Sequence, residues 1–144
     1  MEKIFKEFEE VKAHYEQLLR EREGQHYAVI GNIKAWEGLN PDFFRELRTR
    51  RAEKGISVSI LLTYDSRAFN PHDDSLRRAI LYMPQNMNMD TCMDIYDDSV
   101  FIVGNVDEGV AQLIQSKSLA RNLKEMFDLI WQRQDLQGEA QTEY

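Results

Sequence analysis

The sequence predicts an α/β fold in which a mixed sheet is flanked by helices. Three observations carry that prediction. Tyr27 to Asn32 and Ile56 to Leu62 are short apolar, β-rich runs, and a helical pattern with its own start and stop signals separates them. Asp90 to Asn105 reads as two strands joined by the tight acidic turn Asp97-Asp98-Ser99. Leu119, Leu123, Met126, Phe127, Ile130 and Trp131 recur at helical spacing near the end of the chain.

Taken in order, Ile4, Phe8, Val11, Tyr15 and Leu18 alternate steps of four and three with Glu and Lys between them, a seam with coiled-coil spacing over residues 1–23. At about three heptads the seam fits either a dimer interface or a helix packed on its own domain. Tyr27 to Asn32 is read as a buried strand and Ile33 to Leu39 as a loop. Asn40 and Pro41 supply an N-cap and a first-turn proline for a helix carrying Phe43, Phe44, Leu47 and Arg51, which Gly55 ends. Strand, helix, strand in that order implies a crossover and a parallel pair. Asp65 to Asp74 is read as a loop running into a short helix near Ser75 to Arg78, followed by a strand from Ala79 to Met83. After the hairpin, Gly109 to Ile114 forms a last strand, and Ser116 caps the closing helix. Residues 24–134 thus make one α/β domain, and the polar, aperiodic residues 135–144 a frayed tail.

Composition narrows the function. The 144 residues suffice for one domain with a real core, and a net charge of −7 disfavours phosphate-backbone binding by this chain alone. A single cysteine makes no intramolecular disulfide, no apolar run approaches the ~20 residues of a membrane span, and no signal-peptide core opens the chain. The expected compartment is the cytoplasm, with no membrane partner.

The stretch Asp90-Thr91-Cys92-Met93-Asp94-Ile95-Tyr96-Asp97-Asp98, followed by an apolar strand ending in Gly104-Asn105, resembles the catalytic strand pair of the phospholipase D superfamily. That family carries His-x-Lys-x4-Asp, then an apolar strand ending in Gly-Ser-x-Asn. Here Asp97 or Asp98 stands at the aspartate and Gly104 at the glycine, whereas Asp90 or Thr91 replaces the nucleophilic histidine and Cys92 or Met93 the lysine. Such hydrolysis needs an imidazole to attack phosphorus and cations to hold the developing charge. His14, His26 and His72 occupy no His-x-Lys pair, so the chain is expected not to be an enzyme. A degenerate hydrolase using Asp90 or Cys92 is the catalytic alternative.

The element order, with Phe43-Phe44, Arg50-Arg51-x-x-Lys54-Gly55-Ile56 and Leu123-x3-Phe127-x3-Trp131, resembles the C-terminal effector domain of TrmB-like transcription regulators over about residues 10–133. The resemblance implies a phospholipase D-like domain without catalytic residues that senses a small molecule, sugar-like in chemical class, and works as a homodimer. No helix-turn-helix fits ahead of the first helix, so DNA is expected to be reached only through a separate domain of that kind. In an open α/β sheet, ligands meet the carboxyl ends of the parallel strands. That nominates Asn32, Lys34 and Trp36 after the first buried strand, Tyr64, Asp65 and Arg67 after the second, Asp90, Cys92 and Asp94 at the former catalytic position, and Asn105. Aromatic rings suit sugar faces, and Asp and Asn suit hydroxyls.

Other patterns carry less chemistry. Met83, Met87, Met89 and Met93 beside Cys92 offer soft ligands for copper(I), but shared strand parity explains three of them as an apolar face or a pocket wall. Asp90, Asp94, Asp97 and Asp98 could hold magnesium or calcium, yet two lie in a turn that favours Asp for backbone reasons. No metal and no cofactor is therefore expected. Arg45, Arg48, Arg50, Arg51 and Lys54 read as a solvated helix face, the alternative being that Arg48 and Arg51, on a common side, grip an acidic partner or a ligand phosphate. A purely structural interaction module remains the non-sensory alternative.

Overall fold

The computed structural model describes residues 2–70, 73–106, 109–133 and 137–139. Its elements in chain order are β1 (Glu2–Phe5), α1 (Phe8–Glu21), β2 (His26–Gly31), α2 (Lys34–Leu39), α3 (Pro41–Glu53), β3 (Ser57–Leu62), β4 (Arg78–Tyr82), β5 (Thr91–Ile95), β6 (Ser99–Val106), β7 (Gly109–Gln115), α4 (Lys117–Trp131) and β8 (Gln137–Glu139). Among the described residues the strands form a single sheet in the order β1-β7-β6-β5-β2-β3-β4-β8. The pairs β2–β3 and β3–β4 are parallel and every other pair is antiparallel, so the sheet is mixed as predicted.

Strand parity divides the core into two layers. Tyr27 and Val29 of β2, Val58, Ile60 and Leu62 of β3, and Cys92 of β5 join Val11, Tyr15, Leu18, Phe44 and Leu47 on one face. Ala28, Leu61 and Ile95 meet Phe127 of α4 on the other. Because β2 is covered on both faces, it has to be apolar throughout, as parallel central strands are.

Local chemistry sets the helix ends. The Asn40 side chain accepts from the Phe43 amide at 3.0 Å, Pro41 follows it, and Gly55 at φ 71° stops the chain after α3. Ser116 caps α4 through the Leu119 amide at 3.1 Å. Asp73 caps the short helix that turns the chain toward β4: its carboxylate accepts from the Ser75 amide at 2.9 Å and the helix is a 3-10 helix over Asp74–Leu76, slightly earlier than expected, with another 3-10 helix at Tyr64–Ala68.

Several expectations are corrected. Ile4 lies on β1, opposite Gln112, and the first helix starts only at Phe8. Val11, Tyr15 and Leu18 are buried in this chain's own core, and Phe8 packs against it with its ring on Phe43, so these residues form an intramolecular seam and not a free dimer face. Three-four spacing serves both uses equally well, and the sheet captures the stripe first. Glu2–Phe5 and Phe8–Glu21 are accordingly built into the sheet domain as β1 and α1. Within the stretch expected as a loop, Lys34–Leu39 forms α2, which buries Trp36. Gln137–Glu139, expected to fray, pairs along β4 as an edge strand, since ladder hydrogen bonds need no apolar side chains. Met126, predicted on the apolar face of α4, is 58% exposed. The Met–Cys set is divided: Met83 and Met89 pack on the α4 side and Cys92 on the other.

Candidate functional site

The carboxyl ends of β2 and β3 meet the start of β5 and the end of β6 at one end of the central strands. Between them lies a crevice of about 510 Å³ lined by Asn32, Lys34, Asp65, Asn88, Met89 and Asp90, with Ala35, Leu39 and Val110 as its apolar wall. Two glycines let the strands close beneath it. Gly31 has φ 144°, and a Cβ there would stand 2.1 Å from the Thr91 carbonyl oxygen. Gly104 has φ 135°, and its Cβ would reach the Asp90 carbonyl oxygen at 2.9 Å. Both positions need a residue without a side chain.

Hydrogen bonds fix the β2 and β3 side of the crevice. Asn32 Nδ2 donates to the Met89 carbonyl at 3.1 Å, and Asn32 Oδ1 accepts from the Lys34 amide at 3.0 Å and from Ser66 Oγ at 3.3 Å. Thr63 Oγ1 donates to Asp65 at 2.6 Å, and Lys34 Nζ reaches the other Asp65 oxygen at 2.9 Å. The Thr63 hydroxyl and then the Lys34 ammonium hold the Asp65 carboxyl below the usual aspartate range. Asn32 thus shapes the mouth and has little hydrogen-bonding capacity left for a ligand. The Lys34–Asp65 pair is half exposed on both sides, worth at most about 1 kcal/mol, and can open to a competing polar group. Asp90 and Asn88 are exposed and make no hydrogen bond to the described residues, which leaves their oxygens and amide free to face a ligand.

Of the nominated residues, the structure brings Asn32, Lys34, Asp65 and Asp90 together. Trp36 is not among them: at 2% exposure it is stacked on Phe44 with ring centroids 4.8 Å apart, under the Arg48 guanidinium. Cys92 and Asp94 belong to the same inward face of β5 and are fully enclosed. Tyr64 and Arg67 bind each other, Arg67 Nη1 donating to Tyr64 Oη at 2.7 Å, and do not line the crevice. The Asn105 side chain and His72 lie outside the described residues. Asn88, Leu39 and Val110 were missed, because none sits at a strand end in the sequence; only the register of β5 against β2 brings Asn88 there. Among the described residues no group of three His, Cys, Asp or Glu is placed to hold a metal ion. Nor is any helix long and apolar enough to cross a membrane.

Away from the crevice, toward the other end of β5, runs a directed hydrogen-bond chain. Tyr15 Oη and Tyr96 Oη donate to the same Asp94 oxygen at 2.8 and 2.9 Å, so His14 Nε2, 3.0 Å from Tyr96 Oη, is the donor to that hydroxyl. Burial pushes the Asp94 carboxyl up to about 6 against the two hydroxyl donors. Burial, reinforced by Arg22, brings His14 down to about 3. The two shifts oppose each other in stability. Folded Asp94 keeps a proton that the unfolded chain has lost, so its contribution falls as pH rises from about 4 to 6. His14 stays neutral while the unfolded imidazole charges, so its contribution falls as pH drops below about 6.5. Each slope is about 1.4 kcal/mol per pH unit, and between pH 4 and 6 they cancel. In His14→Phe, urea unfolding at pH 4, 5 and 6 should show stability falling toward pH 6 relative to wild type; parallel pH curves for the two proteins would refute this pairing.

No known protein family matches the chain, and no curated protein matches it. Among solved structures, a likeness emerges at the level of the fold. The chain is similar in fold to TrmBL2. The structure of TrmBL2, an archaeal chromatin protein with a novel mode of DNA binding, superposes with a TM-score of 0.57 at 15% sequence identity. The match covers 90% of this chain and 51% of TrmBL2, so the chain spans about half the length of that protein. At this identity the likeness to TrmBL2 concerns backbone arrangement, with the crevice side chains free to differ.

Proposed function

We propose that the chain is the non-enzymatic ligand-sensing domain of a TrmB-like transcription regulator, of phospholipase D-like descent, and that a sugar-like polyol is its effector. The observation that carries this reading is the strand-end crevice, whose lining combines the uncommitted carboxylate of Asp90 and amide of Asn88, the half-exposed Lys34 ammonium and an apolar wall. Such a set binds hydroxyls by hydrogen bonds and one sugar face by apolar contact. Catalysis has no support from the described imidazoles. His14 is stacked under Phe101 at 3.7 Å, and His26, at the opposite end of β2, is held by Ser57 and Ser59. The domain acts as a homodimer through a surface other than the buried Val11–Tyr15–Leu18 stripe, and DNA is bound by a separate helix-turn-helix domain.

A thermal-shift panel of sugars, sugar phosphates and nucleotides tests the reading, since a ligand at one hundred times its Kd stabilises by about 2.7 kcal/mol. One chemical class should raise the melting temperature, and Asp90→Ala should weaken that class about tenfold while leaving the unliganded melting point unchanged. A response undiminished in Asp90→Ala would remove the crevice from the mechanism. Exposed Met126 and Leu129 on α4, at 58% and 71%, favour the alternative of a protein-interaction module. A flat panel together with a well-folded sample would support that alternative.

A further inference from the structure

A second polar centre lies away from the crevice, between α3 and the sheet. Arg48 and Arg51, one turn apart on α3, are 2% and 0% exposed, and Arg78 at the start of β4 is 2% exposed. Among the described residues the only buried carboxylate is Asp94, which takes both tyrosine hydroxyls on Oδ2, leaves Oδ1 without a donor and offsets part of the Arg51 charge. The two guanidiniums of α3 against that one carboxylate still leave an excess of buried positive charge, which a low-dielectric interior tolerates only with a counter-charge. Glu37 feels the Arg48 charge but makes no hydrogen bond to it.

The free donors share a geometry. Arg51 Nη1 donates to Tyr27 Oη at 3.1 Å, and the Arg48 guanidinium lies 5.4 Å from the Trp36 ring centroid. On both residues Nε and Nη2 are enclosed and have no hydrogen-bond acceptor. These two atoms form the side edge of a guanidinium, the fork that grips anions in a bidentate manner. Two such forks, one helical turn apart on the buried side of α3, carry the charge and the uncommitted donors that an anion requires. We infer that Arg48 and Arg51 hold a small inorganic anion, a halide or an oxyanion, between α3 and the sheet. The proximity of the guanidiniums is independently visible in their electrostatics: burial and the Arg51 charge bring Arg48 down to about 10, and burial, Arg51 and Arg48 bring Arg78 down to about 9. A bound anion relieves that mutual repulsion and supplies the missing acceptors.

The test is thermal unfolding of the full chain in chloride, bromide or phosphate, with sodium gluconate holding the ionic strength constant. The melting temperature should rise by about 3–6 °C for each tenfold increase of the bound anion above its Kd. Arg48→Met should abolish the rise, whereas Arg50→Met, which removes a surface arginine paired with Glu16, should keep it. Arg48→Met spares the Arg51–Tyr27 hydrogen bond, so it is the variant of choice should Arg51→Met fail to fold. A melting temperature insensitive to all three anions, or an equal rise in Arg48→Met, overturns the inference.

Discussion

Trp36→Ala is expected to lower the unfolding free energy by about 3–5 kcal/mol, the range for removing a large buried aromatic side chain. The indole is enclosed between Phe44, Tyr15 and the Arg48 guanidinium, and losing it leaves a cavity bounded by α1, α2 and α3. Its Nε1 is buried without an acceptor, so some of the loss is offset by removing an unsatisfied donor, and the lower half of the range is the better expectation. Trp36→Phe keeps the stack on Phe44 and should cost clearly less. Urea unfolding of the two variants measures both. A loss under about 1 kcal/mol for alanine would mean that the ring is not the keystone of the helical layer.

Gly31→Ala is the second large effect, about 3 kcal/mol or more. The backbone there has a positive φ that a side chain resists, and the added methyl would overlap the Thr91 carbonyl oxygen at 2.1 Å and Cys92 Cα at 2.8 Å. Both obstacles are backbone, so relief requires β2 and β5 to separate. Because Asn32 follows immediately and reaches across to Met89, the same displacement should disturb the crevice mouth. Gly38→Ala is the control, since a Cβ there meets nothing within 4 Å and α2 gains helix propensity. Equal stability of Gly31→Ala and wild type in urea would sink the close-approach argument.

The parts of the fold set by local rules were legible in the sequence. Asn40-Pro41 and Ser116 announce their helices, and the period-two and continuous apolar runs mark β2, β3 and the β5–β6 hairpin. The parts set by competition between partners were not. Ile4 follows the helical seam as well as it follows β1, and only pairing with Gln112 of distant β7 decides for the strand. Trp36 in sequence looks like a loop aromatic available to a sugar; its burial depends on Phe44 arriving from the next helix. The strand-end rule nominated Asn32, Lys34, Asp65 and Asp90, which line the crevice, and also Cys92 and Asp94, which are buried away from it. Alternation along β5 sends those two side chains inward, and which parity faces the helices is a property of the assembled sheet. The arginines of α3 mislead for the same reason: Arg45 and Arg50 are solvated as charge runs usually are, while Arg48 and Arg51 face the sheet.

The pairing of β1 with β7, Glu2 opposite Ile114, has a consequence for the order in which the molecule is assembled. During synthesis β1 has no partner until β7 has been made, so it cannot seed this sheet and must wait as a solvated segment. Closing so long a loop is entropically costly, and contacts of this sequence separation form late. The parallel unit β2–β3–β4, whose strands are near neighbours in sequence, is the natural place for folding to start. The early strand then docks last, sealing an edge of β7 that would otherwise be open to pairing with other chains.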